Sequence, residues 1–313
     1  MRFLRYIISF SALLLLMYCG GDKPKPEIDE SPTAGNLKIY FNEGLTLHVK
    51  NQVYTFEGFY GKAKIEAIAS TEDEAVRALL DDSCTGIVIT RLLNAKEKKA
   101  FEQKNLFPKY SALAKTGVAL IVNQNSPIRK LTQQQVIELL RDKLSVTDSL
   151  NNKTEPIAVF DNKNSAITRY LMDSLLQGKN FGPKCSATKN SLELLNTISN
   201  NTDAIGFIDF AWLSDRDDSL YKAYESKIRF LAVGKGNGVY VEPNQSSFKT
   251  NEYPFTRTIY YLRRSGDFTL SKGLEAFMAG PKGQLMFLKQ GLLPNRQQER
   301  IIQVNTGPIN GEK

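Results

Sequence analysis

Thr116-Gly-Val-Ala-Leu-Ile-Val-Asn-Gln-Asn-Ser-Pro-Ile-Arg-Lys-Leu-Thr-Gln-Gln-Gln-Val136 decides the fold. The apolar run Gly117 to Val122 reads as a buried strand, and Thr132-Gln-Gln-Gln135 is a capping box that opens a helix with Val136, Leu139 and Leu140 on one face. The same alternation runs outward in both directions. Strands are read at Leu37–Tyr40, Lys64–Ala69, Gly86–Ile89, Ile157–Phe160, Ala204–Ile208 and Ile228–Val233. Between them, helix faces carry Ala75, Val76, Leu79 and Leu80; Ile167, Tyr170 and Leu171; Leu192, Leu195 and Ile198; and Leu270, Leu274, Phe277 and Met278. Alternating strands and helices over this length imply α/β architecture, with mostly parallel sheets flanked by helices.

Thr71-Glu-Asp-Glu74 forms a second capping box. Its three acids suit the positive end of a helix dipole but would repel an anion, so this end reads as structural.

The amino-terminal segment has a different character. Arg2 and Arg5 precede an apolar run of 13 residues, Tyr6 to Tyr18, and then come Cys19, Gly20 and Gly21. A membrane span needs about 20 apolar residues, so residues 1–18 read as an export signal. Residues 19–35 include Pro24, Pro26 and Pro32 with few apolar side chains, the composition of a flexible tether.

Composition narrows the class. Hydrophobic residues make up 42% and charged residues 24% of the 313-residue chain, which is globular. There are 41 Lys and Arg against 33 Asp and Glu, and the basic residues are interleaved with acids, as in Ala95–Lys104. That pattern looks like a solvated helix face rather than a nucleic-acid stripe, and export makes nucleic acid a poor partner. A mild basic excess can still steer a small anion. His48 is the one histidine, and Cys84 and Cys185 are the two thiols after Cys19. One histidine without a cysteine cluster supplies no zinc ligand set, so no metal, cofactor or hydrolytic machinery is expected. His48 reads as part of an apolar helix or strand face. Cys84 and Cys185 are read either as one disulfide or as two free thiols.

Cys19 and the residues before it resemble the lipobox of bacterial lipoproteins, in which the thiol is lipidated; the alternative is an ordinary secretory signal with an incidental cysteine. The opening stretch Thr116–Val136 resembles the crossover strand of the phosphate-binding components of bacterial ABC importers, a group with the type II periplasmic binding protein fold. In the same order, likenesses occur at Gly86-Ile-Val-Ile-Thr-Arg-Leu-Leu93, Phe160-Asp-Asn-Lys-Asn-Ser-Ala-Ile-Thr-Arg-Tyr-Leu171, Ala204-Ile-Gly-Phe-Ile208, Tyr253-Pro-Phe-Thr-Arg257, Ala276-Phe-Met-Ala-Gly-Pro-Lys-Gly-Gln284 and Gly291-Leu-Leu-Pro294.

The resemblance implies two lobes joined by two hinge strands: residues 36–120 with 257–313 as lobe 1, and residues 121–256 as lobe 2. It implies phosphate or a related oxyanion held between them and delivered to the membrane permease of an ABC importer by a monomeric, lipid-anchored protein of the cell envelope; a different small anion, or a non-transport envelope sensor or interaction protein of the same fold, is the alternative. Open α/β sheets bind ligands beyond the carboxyl ends of their strands. There the sequence places Glu43 and Gly44, Thr90 and Arg91, and Asn164, Ser165, Thr168 and Arg169. Ser165 and Thr168 offer hydroxyl donors at a helix start and Arg169 a planar fork for two oxygens; otherwise Ser165 only caps its helix. In the family an aspartate near the Thr90 turn accepts the proton of bound phosphate. Arg91 stands there instead, and arginine has no acceptor. Glu43 is then either the replacement acceptor or half of an internal salt bridge.

Overall fold

The computed structural model describes residues 30–147, 153–264, 266 and 268–296. The export signal, Cys19 and most of the tether lie outside them.

Strand β1 (Gly35–Asn42) is followed by helix α1 (Thr46–Phe59), β2 (Ala63–Ser70), α2 (Glu72–Leu80), β3 (Gly86–Ile89) and α3 (Ala95–Gln103). β1 lies between β2 and β3 and runs parallel to both. All four β3 residues are buried, as expected of a strand covered on both faces. Ala75, Val76 and Leu79 of α2 pack with Ile87, Ile89 and Phe101. Burying each large apolar side chain stabilises the lobe by roughly 1.5–3 kcal/mol.

The longest strand, β4 (Lys109–Asn123), spans 15 residues and joins the lobes. Its first part pairs with β7 (Thr256–Arg263) up to Gly117, and from Val118 to Val122 it pairs instead with β6 (Ala204–Asp209). Gly117 sits at this change of partner, where a Cβ would crowd the Phe255 carbonyl at 3.0 Å and the Phe248 ring at 3.1 Å. The switch falls at Gly117–Val118. Beyond it, α4 (Gln133–Leu140), β5 (Ile157–Phe160), α5 (Ala166–Tyr170) and α6 (Ser191–Ser199) build the second lobe, with β5 parallel to β6. α7 (Leu270–Ala279) and α8 (Pro281–Lys289) return to the first lobe.

Both capping boxes form: Thr71 Oγ1 accepts from the Glu74 amide and Thr132 Oγ1 from the Gln135 amide, each reciprocated. Three details depart from the expectations. Ile228–Val233 is two strands, because the chain leaves β4 after Phe230 and Ala232–Gly234 joins Lys130–Thr132 in a separate sheet. Leu192 is 48% exposed, and the buried face of α6 is Leu194, Leu195 and Ile198. The end of the tether is packed, since a Cβ on Gly273 would collide with the Pro32 carbonyl. His48 lies in helix α1, where it is buried beside the Ser214 hydroxyl and the Gln290 carbonyl, and burial pushes it down to about 4, so it is neutral.

Cys84 and Cys185 are both free. Burial pushes the Cys84 thiol up to about 11 and, chiefly by the same cause, Cys185 to about 12. Neither is a thiolate nucleophile at neutral pH. Among the described residues no helix is long and apolar enough to cross a membrane.

Candidate functional site

The carboxyl ends of β2 and β5 face each other across a cavity of about 360 Å³. Thr71, Asp73, Glu74 and Arg77 line it from the first lobe, and Lys163, Asn164, Ser165, Thr168 and Arg169 from the second. Four of the sequence-predicted residues therefore share one cavity.

The second-lobe wall is a tight loop. Ser165 caps α5, its Oγ accepting from the Thr168 amide at 3.1 Å, while the Thr168 hydroxyl donates to the Asn162 carbonyl at 2.6 Å. After Tyr170 the helix loosens into a π-helical turn, Leu171–Leu175. Such turns recur at functional sites. Asp161, at the end of β5, is buried, and its Oδ1 accepts from the Asn162 amide at 2.9 Å. Burial pushes its carboxyl up to about 7; the Ser165 hydroxyl opposes this rise, and the acids Glu43 and Asp209 add to it.

The opposite wall rests on Glu72, which is 2% exposed. Its Oε1 accepts from the Thr90 amide at 2.7 Å, the Thr90 hydroxyl at 2.6 Å and Asn42 Nδ2 at 3.1 Å. Arg257, on β7 beside the switch point, reaches Glu72 at 3.6 Å and Asp209 at 3.3 Å, so one buried guanidinium joins acids of both lobes. Thr116 donates to Asp209 at 2.6 Å.

The two acids respond differently to that shared arginine. Burial alone would raise Glu72, but Arg257, both Thr90 donors and Arg91 outweigh it and hold its carboxyl below the usual range. For Asp209 burial outweighs Arg257 and Thr116, and the carboxyl is pushed up. Glu72 has the richer set of donors, which is why its shift runs opposite to that of Asp209.

Several predicted residues are already occupied. Both donors of Thr90 are spent on Glu72, so Thr90 positions that carboxylate rather than facing the cavity. Arg91 makes a two-pronged bond to Glu97 at 2.7 and 2.8 Å and also meets Glu72 at 3.1 Å and Asp73 at 3.2 Å. Gly44 lies against Asp209, at 3.2 Å from where its Cβ would be, and lines a separate cavity with Ala211 and Trp212. Glu43 has no ion pair with Arg91 or Arg169 among the described residues, and burial followed by Glu74 pushes its carboxyl up. The internal salt bridge is thus not formed.

Thr71, Asp73 and Glu74 belong to the helix start read as structural, yet with Arg77, which had no assigned role, they form one wall of the cavity. The rule that found the loops after β1, β3 and β5 applies equally to β2, whose carboxyl end opens here. Asp73 carries the contact between walls: its two oxygens take Arg91 from the first lobe and Arg169 from the second. Among the described residues no group of His, Cys, Asp and Glu side chains could hold a metal ion.

Two α/β lobes joined by crossing strands, with a charged cavity between them, define a two-lobed binding protein. The chain belongs to the PBP superfamily: its residues 32–279 match the PBP superfamily domain. It is accordingly a binding protein, not an enzyme.

Its relatives include the phosphate-binding protein PstS of Pseudomonas aeruginosa, 23% identical over 294 residues that cover 87% of each chain. The PstS of Staphylococcus aureus is 20% identical over 55% of this chain and 50% of that relative. Among solved structures, an ABC transporter substrate-binding protein from Clostridium perfringens, with bound phosphate, superposes with a TM-score of 0.69 at 18% identity, covering 84% of this chain and all of that one. An ABC-type phosphate transport receptor from Vibrio cholerae does so at 0.64 and 15% identity, over 83% of this chain and all of that one. These likenesses show the fold.

Proposed function

We propose that this protein is a lipid-anchored, extracytoplasmic solute-binding protein that captures phosphate or a related oxyanion between its lobes for the permease of an ABC importer. The observation that carries the reading is the shared cavity, where Arg169, Ser165, Thr168 and Asn164 face the first lobe across a space that suits a tetrahedral anion. The bound phosphate of the Clostridium perfringens protein and the name of the Pseudomonas aeruginosa relative support the choice of ligand. Asn164, Ser165 and Arg169 are the proposed ligand residues, with Thr168, whose amide and hydroxyl go to Ser165 and Asn162, holding their loop, Arg91 behind them as a positioning group and Glu43 as the acid able to take a ligand proton.

The cavity lining carries no excess of basic over acidic side chains. Arg77, Lys163 and Arg169 line the cavity against Asp73, Glu74 and Asp173, so a dianion would meet as many acids as bases. A second reading follows from that balance: the ligand is a different small monoanion in the same place. Equilibrium titration with phosphate tests the reading, and saturable one-to-one binding supports it.

The anchor rests on Cys19, outside the described residues. Cys19→Ser should move the protein from the membrane fraction to the soluble fraction without unfolding it, and a variant that stays membrane-bound after a salt wash would exclude lipidation.

A further inference from the structure

Asp73 holds one arginine on each of its carboxylate oxygens. Oδ1 accepts from Arg91 Nη2 at 3.2 Å and Oδ2 pairs with Arg169 Nη2. The two guanidinium groups come from opposite lobes, so the carboxylate is placed as two oxygens of a bound oxyanion would be.

We propose that Asp73 is an internal counter-ion that competes with the oxyanion for Arg169 and thereby sets the affinity and resting closure of the cleft. The proposal rests on the oxyanion reading above.

The surroundings suit an exchange of partners. The Asp73 side chain is 47% exposed and that of Arg169 is 27% exposed, so the pair is weak and an incoming anion can displace it. Arg91 keeps Glu97 and Glu72 when Asp73 leaves, and stays in place. Asp73 is the one ion-pair partner of Arg169 among the described residues, so displacement frees that guanidinium for the ligand. Glu74, the next residue, lines the same cavity but bonds the Thr71 amide at 3.0 Å as part of the capping box. It is the natural control for a change of charge alone.

The test compares Asp73→Asn with Glu74→Gln in calorimetric titrations with phosphate, and in small-angle scattering of the phosphate-free proteins. Asp73→Asn should bind phosphate about three- to tenfold more tightly than the parent, while Glu74→Gln, which removes an acid from the same wall but frees no arginine, should gain less than Asp73→Asn does. The phosphate-free Asp73→Asn protein should also show a larger radius of gyration, because the tie between the walls is gone. Unchanged or weaker binding in Asp73→Asn overturns the proposal, and so does an equal gain in Glu74→Gln. If neither the parent nor the variants bind phosphate, the oxyanion reading fails instead. Scattering then judges the tie by itself, and an unchanged radius overturns it.

Discussion

Arg257→Ala should destabilise the folded protein by about 3–5 kcal/mol at neutral pH, the largest loss expected of any single substitution at the site. The guanidinium is 5% exposed and lies against Tyr170 as well as between Asp209 and Glu72. Alanine would leave two buried acids without their shared cation. The effect has a pH signature. In the parent Glu72 is held below its ordinary range, so its contribution is present above the unfolded pKa and is lost as pH falls through the lower folded value. Without Arg257 burial would raise both carboxyls, and their penalty would grow as pH rises from the unfolded value toward neutrality. The gap between the two proteins should therefore widen from pH 4 to pH 7. Urea unfolding at both pH values checks this, and a gap below about 1 kcal/mol at pH 7 would show that the network does not hold the lobes.

Arg169→Ala should leave stability nearly unchanged, because a half-exposed ion pair contributes about 1 kcal/mol or less. Its cost falls on the ligand instead. Losing a charge-assisted pair worth about 1.5–3 kcal/mol should weaken phosphate binding by roughly ten- to more than a hundredfold. Calorimetry and thermal melting on one preparation separate the two effects. Binding within threefold of the parent would remove Arg169 from the site. Arg257 joins acids of the two lobes, whereas Arg169 is the proposed contact to the solute.

Periodicity and caps made most of the fold legible. The run Gly117–Val122 is apolar because both faces of β4 are covered, and Thr71 and Thr132 announce helix starts whose amides need partners nearby in sequence. The hinge network was not legible. Glu72, Asp209 and Arg257 become neighbours only when two lobes fold around β4 and β7, and nothing local marks a buried acid among three at a helix start. Arg257 was visible within Tyr253-Pro-Phe-Thr-Arg257 but had no assigned role. Thr90 and Gly44 lay at the correct strand ends, yet their donors and contacts go to Glu72 and Asp209. Strand-end position predicts proximity to a cleft; it does not predict which partners claim a side chain first. Asp73 illustrates the same limit, since an acid that looks repulsive to an anion in sequence holds both arginines in three dimensions.

The most direct test of the account is a calorimetric titration of the spacer-free protein with phosphate, run beside sulfate and a monovalent organic anion such as acetate. The account predicts one saturable phosphate site per chain, lost or severely weakened in Arg169→Ala. Saturable binding of phosphate with the same affinity in the parent and Arg169→Ala, or no binding of phosphate at all, would contradict it.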